Sequence, residues 1–236
     1  MRPRRGPTHS LLASRPSVHT QDYFETPMKQ PRDSKRRTAR VADRTGCRPW
    51  PVARPMLEHL CTDVIPDLAS DLGRPPRVLE LGSGVGLLGV GLAMATDCDV
   101  TLTDPDVETN FSDGTKMSTL AWLQRNVDLN VASKRARAKR LVWGNGDDVK
   151  ALLREGRFDL VVGSDLLYDT GNYGPLVDSI IALAPTRGAI FGYVTRHGAE
   201  TDFADLATAR GFAAEAAPLV GEGLSKPATV TRLTRH

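Results

Sequence analysis

Residues Val78–Gly89 read VLELGSGVGLLG, and the reading of this stretch decides the fold. Val78, Leu79, Glu80 and Leu81 have the near-continuous apolar character of a strand buried on both faces. They run directly into glycines at 82, 84, 86 and 89, and an apolar, helix-compatible run continues from Leu87 to Ala95. Strand, glycine turn and helix start bring backbone N–H groups and a helix dipole to one point, where an electron-rich ligand can be held. Gly84–Gly89 satisfies the G-x-G-x-x-G dinucleotide fingerprint, which alone is a weak signal. Glu80 with Gly82, Gly84 and Gly86 satisfies a second pattern, E-x-G-x-G-x-G. The choice between the two has to come from the rest of the chain.

Upstream, Met56, Leu57, Leu60, Val64, Ile65 and Leu68 recur at helical spacing and predict one helix within Pro49–Leu72, ended by Pro75-Pro76. Downstream, strands are predicted at Asp99–Thr103, Ala138–Val142, Phe158–Gly163 and Ala189–Thr195, with a closing hairpin at Phe212–Pro218 and Ala228–Leu233. Helices are predicted at Leu120–Asn130, Val149–Arg154, Tyr173–Ala184 and Glu200–Arg210, and Pro105–Thr119 reads as a polar surface excursion. With the strand at Arg77–Leu81, the pattern is α/β: a doubly wound, mostly parallel seven-stranded sheet with helices on both faces.

The 236 residues, 40% of them hydrophobic, hold one such domain with some chain left over. Charge marks where the remainder lies. Residues 1–48 carry 12 Lys/Arg against 4 Asp/Glu, while the other 188 carry 19 against 24. We therefore divide the chain into a basic leader, residues 1–44, expected to be disordered, and a domain over residues 45–236. Arg2, Arg4, Arg5 and Arg15 precede the first acidic residue, Asp22, as in an organellar transit peptide; a plain solvated tail is the competing reading. The expected compartment is cytoplasmic, or organellar if the leader is an import signal. Cys47, Cys61 and Cys98 have no metal-ligand spacing and cannot all pair, which suits a reducing compartment. No apolar run approaches the length of a membrane span.

Ligands of such sheets sit at the carboxyl ends of the strands. Three of those ends carry distinctive residues: Asp104, Trp143, and Ser164 with Asp165. Asp104 is placed to accept ribose hydroxyls, or else to cap a short helix opened by Pro105. Glu80 is a carboxylate within an apolar strand, costly there without partners. Taken alone, Trp50 and Trp143 read more readily as core residues than as site residues, Asp165 as a loop cap and Tyr168 as a packing residue.

Together, Trp50-Pro51, VLELGSGVGLLG, TLTDPD, a helix bearing Asn126 and Asn130, Trp143-Gly144 and FDLVVGSDLLYD resemble the family 16 seven-strand methyltransferases that use S-adenosylmethionine (SAM). That family includes the protein-lysine methyltransferases related to those of valosin-containing protein and heat-shock protein 70. The resemblance covers about residues 45–183. It implies that Gly82, Ser83 and Gly84 line the methionine part of SAM, with Glu80 facing the glycine loop. It also implies that Asp104 holds the ribose, Trp143 borders the adenine, Ser164 lies behind the adenosine and Trp50 flanks the sulfonium side. Asp165 and Tyr168 form its D-x-x-Y element at the methyl-acceptor channel. The chain departs from the pattern in its long excursion after Asp104 and in lacking an evident hairpin before Trp50.

The implied activity is protein-lysine N-methylation, with a protein substrate, no membrane or nucleic-acid partner and a monomeric state. A small-molecule methyltransferase and a non-catalytic SAM-binding scaffold keep the same cofactor. A nicotinamide oxidoreductase leaves Glu80, Trp50-Pro51 and the SDLLY turn without roles. An adenine-N6 methyltransferase needs prolines where Leu166 and Leu167 stand.

Overall fold

The computed structural model describes residues 49–110, 116–131, 135–195 and 200–235; the leader, residues 1–44, lies outside them. Nine strands are described: β1 Arg77–Glu80, β2 Asp99–Asp104, β3 Glu108–Asn110, β4 Lys116–Ser118, β5 Ala136–Arg140, β6 Leu160–Ser164, β7 Ala189–Val194, β8 Phe212–Leu219 and β9 Ala228–Arg235. Seven form one sheet in the order β5-β2-β1-β6-β7-β9-β8. Pairing is parallel from β5 to β7, and β9 inserts antiparallel between β7 and β8. From β1 the chain winds outward to β2 and β5, then crosses back to β6 on the other side of β1. That reversal opens a crevice at the carboxyl ends of β1, β2 and β6.

The helices are α1 Ala53–His59, α2 Ile65–Leu72, α3 Leu87–Ala95, α4 Thr119–Asn130, α5 Gly146–Leu153, α6 Tyr173–Leu183 and α7 Glu200–Ala209. Alternate strand residues feed two cores. Val78, Leu160, Val162, Ile190 and Val194 pack with α1 to α4 on one face. Leu79, Leu81, Val161, Phe191 and Tyr193 pack with α5 to α7 on the other. This two-sided burial is why β1, β6 and β7 read as continuous apolar runs. Helix α3, caught between the sheet and α1 and α4, is buried nearly all round.

The predicted helix over 49–72 is split. Leu60–Val64 is a π-helical turn in which the Ile65 N–H bonds the Leu60 carbonyl five residues back. The extra residue falls directly before Pro66, which has no N–H and whose ring crowds the preceding turn. The third sheet strand is also displaced, running from Ala136 to Arg140 instead of 138–142, because its register is set by β2, with Val100 opposite Ala136 and Asp104 opposite Arg140. The segment expected to be an irregular excursion contains a two-stranded sheet, β3 with β4. Its Glu108–Lys116 ion pair is solvent-exposed, and it lacks the apolar alternation that announces a strand. Helices α4 and α5 begin earlier than predicted, since Ser118 accepts the Ala121 N–H and Asn145 accepts those of Asp147 and Asp148.

Candidate active site

The loop after β1 is tied to β2 almost as if it were another strand. Ser83 donates its N–H to the Thr103 carbonyl (2.8 Å) and its Oγ accepts the Thr103 N–H (3.1 Å). The Thr103 hydroxyl in turn donates to the Glu80 carbonyl at 2.7 Å. On the helix side, Asn126 Nδ2 holds the Val85 carbonyl at 2.8 Å, and Gly86 N–H closes a turn on Ser83 O at 2.8 Å. Gly82 is at φ 59°, and a Cβ there would lie 2.6 Å from Leu166 Cδ2 and 3.1 Å from Trp143 Cζ2. Only glycine gives both that backbone and that closeness, so Gly82 lets the indole reach the loop.

Glu80 ends β1 fully buried, and its Oε2 accepts the Gly89 N–H in the first turn of α3 at 3.0 Å. The approach is tight: a Cβ on Gly89 would come within 2.4 Å of that oxygen. Burial raises the Glu80 pKa to about 8, against the opposing hydrogen bonds from the Ser83 hydroxyl and Gly89 N–H, and the charge of Asp104 adds to the rise. Asp104, at the end of β2, accepts the Gly84 N–H on Oδ2 at 2.9 Å. Burial lifts its pKa to about 6, with the Gly84 N–H and Thr119 hydroxyl pulling it down. No helix follows Pro105, so the alternative reading of Asp104 as a helix cap does not hold.

Trp143 stands on the loop after β5, where the Gly144 N–H is anchored on Ser179 Oγ (2.8 Å) at α6. Its indole Nε1 is buried and has no hydrogen-bond partner among the described residues. Ser164 ends β6, and Asp165 follows in a left-handed conformation, φ 56°. Asp165 is buried; its Oδ2 accepts the Val52 N–H at 3.3 Å and its Oδ1 the Val194 N–H at 3.4 Å. Tyr168, by contrast, is 43% exposed. Trp50 occupies the turn entering α1, its carbonyl accepting the Ala53 N–H at 3.1 Å.

All ten residues singled out in the sequence line one cavity of about 310 Å³: Trp50, Glu80, Gly82, Ser83, Gly84, Asp104, Trp143, Ser164, Asp165 and Tyr168. Further lining comes from Val107, Thr119, Val142, Asn172 and Pro175, none of which the sequence marks as site residues. Thr119 receives the Val107 N–H on its hydroxyl (3.3 Å) and gives its own N–H to the Val107 carbonyl (2.9 Å), folding the β3–β4 sheet over this end of the cavity. No local signal betrays this contact, because it depends on the hairpin. Asn126 stands out in the sequence only through the resemblance; its hold on the glycine loop is a tertiary contact.

The residues suit an adenosyl cofactor. Asp104 supplies a buried acceptor and Trp143 a buried indole N–H on an aromatic plane, a combination of few polar groups in an otherwise apolar cleft. The sheet order and the crevice at its switch point define the class, a Rossmann-like methyltransferase fold. The human methyltransferase 10 domain containing protein shares it with a TM-score of 0.54 at 12% identity, over 92% of each chain. More narrowly, the chain belongs to the lysine methyltransferase family, whose model matches residues 36–210. That match begins ahead of the boundary drawn at residue 45. The chain is 34% identical over 137 residues to mouse EEF1A lysine methyltransferase 3, covering 56% of this chain and 52% of that protein. It is 31% identical over 107 residues to zebrafish protein N-lysine methyltransferase METTL21A, covering 44% and 42%. It thus spans about half the length of the curated relatives it matches. No helix among the described residues is long and apolar enough to cross a membrane.

Proposed function

We propose that this protein transfers a methyl group from SAM to a lysine side chain of a protein substrate. The observation that carries the reading is the convergence of the glycine loop, Asp104, Trp143, Trp50, Asp165 and Tyr168 on one crevice at the switch point of the sheet. When bound, SAM supplies an electrophilic methyl on a sulfonium. Transfer of that methyl is an in-line displacement, so the protein's contribution is mainly to place donor and acceptor.

Gly82, Ser83 and Gly84 hold the amino-acid end, with the loop kept rigid by Thr103 and Asn126. Asp104 accepts the ribose hydroxyls, which suits a carboxylate already fixed by the Gly84 N–H. Trp143 and Ser164 border the adenosine. Asp165 and Tyr168 serve the acceptor end, where the half-exposed Tyr168 offers its ring face to the alkyl stem of a lysine and its hydroxyl to the amine. None of the described residues lining the crevice is His or Lys, and in this reading the ammonium gives its proton to water before attack.

Parallel calorimetry with SAM, S-adenosylhomocysteine and NAD(P)H tests the cofactor. Incubation with labelled SAM and a lysate of the source organism, followed by total hydrolysis, tests the acceptor. Label recovered as methyl-lysine is expected. NADH binding without SAM binding, or label recovered only in small molecules, would overturn the reading.

A further inference from the structure

Among the described residues, Asp165 makes two side-chain contacts that a residue serving only an incoming ligand does not need. Its carboxylate takes one backbone N–H from Val52, 113 residues away in sequence, and another from Val194, 29 residues away. Its own N–H bonds the Gly192 carbonyl at 2.8 Å. Val52 is the N-cap residue of α1, and no side chain of the α1 segment caps that helix. Asp165 therefore caps α1 from outside, through the hydrogen bond its carboxyl group accepts from the Val52 N–H.

The residues fastened by this cap form one wall of the crevice. Pro49, Trp50 and Ala53 all line it, and Trp50 is joined to Ala53 by the turn that Val52 occupies. On its other side Val52 is fully buried against β7; a Cβ on Gly192 would lie 2.9 Å from Val52 Cγ1. The left-handed backbone at Asp165, φ 56°, turns the chain so that a carboxylate at the end of β6 faces both donors. Asp and Asn tolerate that conformation better than most residues.

We propose that Asp165 is a positioning residue: it acts on methyl transfer by clamping the Val52 backbone and so fixing the Trp50 wall of the crevice. The inference rests on the methyltransferase reading above and gives one half of its D-x-x-Y element a mechanical role. Tyr168, three residues on and half-exposed, is left as the half that meets the acceptor.

The test is a double-mutant cycle on the full-length protein with Asp165→Asn, Trp50→Ala and the pair together. Asparagine keeps the shape and the left-handed backbone but replaces one of the two acceptor oxygens with an NH2 donor, so only one of the two N–H bonds can persist. S-adenosylhomocysteine affinity, kcat and KM for the methylated substrate are measured on each, with the melting temperature as a check on folding. Asp165→Asn alone is expected to lower kcat/KM at least about tenfold, and to add less than about threefold once Trp50 is already alanine, since coupled residues are non-additive. Losses that multiply would overturn the inference and return Asp165 to direct contact with the acceptor. Amide exchange at Val52 needs no variant: slow exchange is expected in the wild-type protein, and exchange at the unprotected rate would equally overturn it. If the wild-type protein binds neither SAM nor S-adenosylhomocysteine, the functional reading fails, and Val52 exchange still judges the clamp.

Discussion

Replacing Glu80 by glutamine changes the shape of its side chain very little and removes one proton equilibrium from the core. In the folded protein Glu80 is buried, and its pKa stands at about 8 against an ordinary 4.5. An acid whose folded pKa lies above its unfolded value binds its proton more tightly in the native state. The wild-type protein is therefore favoured by this group below about pH 4.5 and loses that advantage as pH rises toward 8. Each pH unit inside that window is worth about 1.4 kcal/mol, so stability should fall by roughly 2–3 kcal/mol between pH 5.5 and 7.5 from Glu80 alone. The glutamine variant keeps an oxygen for the Gly89 N–H and has no proton to lose, so it lacks this slope.

The assay is urea unfolding of both proteins without cofactor at half-unit pH steps. Other groups titrate in both proteins, so the difference between the two stability curves isolates Glu80. That difference should move by roughly 2–3 kcal/mol in favour of glutamine across the two units. Curves that stay parallel within about 0.5 kcal/mol would mean that Glu80 is ionised in the native state throughout. The hydrogen bonds of Ser83 and Gly89 would then outweigh burial, and β1 would end on a charged carboxylate instead of a neutral acid.

Three further outcomes follow from individual contacts. Gly89→Ala drives a methyl into Glu80 and Leu102, and should cost about 1–3 kcal/mol of stability by overpacking and weaken S-adenosylhomocysteine binding, read by thermal unfolding and calorimetry. Asp104→Ala should weaken SAM binding by roughly 1–3 kcal/mol, the cost of leaving hydrogen-bonding groups unpaired in the cleft; an unchanged dissociation constant would remove Asp104 from the site. Far from the crevice, burial pushes the pKa of Asp159 up, but Arg74, the Arg77 N–H and Thr186 hold it below the ordinary 3.8. Asp159→Ala should cost about 1–3 kcal/mol at pH 7, and the gap should close as pH falls below the ordinary carboxylate range, measured as unfolding midpoints at pH 7 and pH 3.

The parts of this molecule that are legible in its sequence are those where one residue type answers one local demand. Strands β1, β6 and β7 announce themselves because both faces are buried, and the glycine loop because the backbone must turn tightly at the edge of the crevice. The residues at strand ends are legible too, since a parallel sheet sends them all to one edge. Contacts across distant segments are not. The β3–β4 sheet is polar and contributes no core, and the π turn before Pro66 repairs a backbone conflict without changing the helical spacing around it. Thr119 and Val107 come to the crevice only because that sheet folds over it.

Asp165 shows how a correct position can still leave a role open. Its placement after an apolar strand is enough to bring it to the crevice, and it lines the cavity. Its carboxylate, however, accepts backbone N–H groups from two other segments of the chain, and no sequence spacing reveals partners so far apart. The same holds for Glu80, which lines the cavity and also fastens the first turn of α3. In both cases a buried acid joins the strand that carries it to the start of a helix, α1 for Asp165 and α3 for Glu80. Two walls of the crevice thus depend on carboxylates that reach across from the sheet. Substitutions at either acid should therefore change the shape of the site as well as its charge, and neutral isosteres are the variants that separate the two effects.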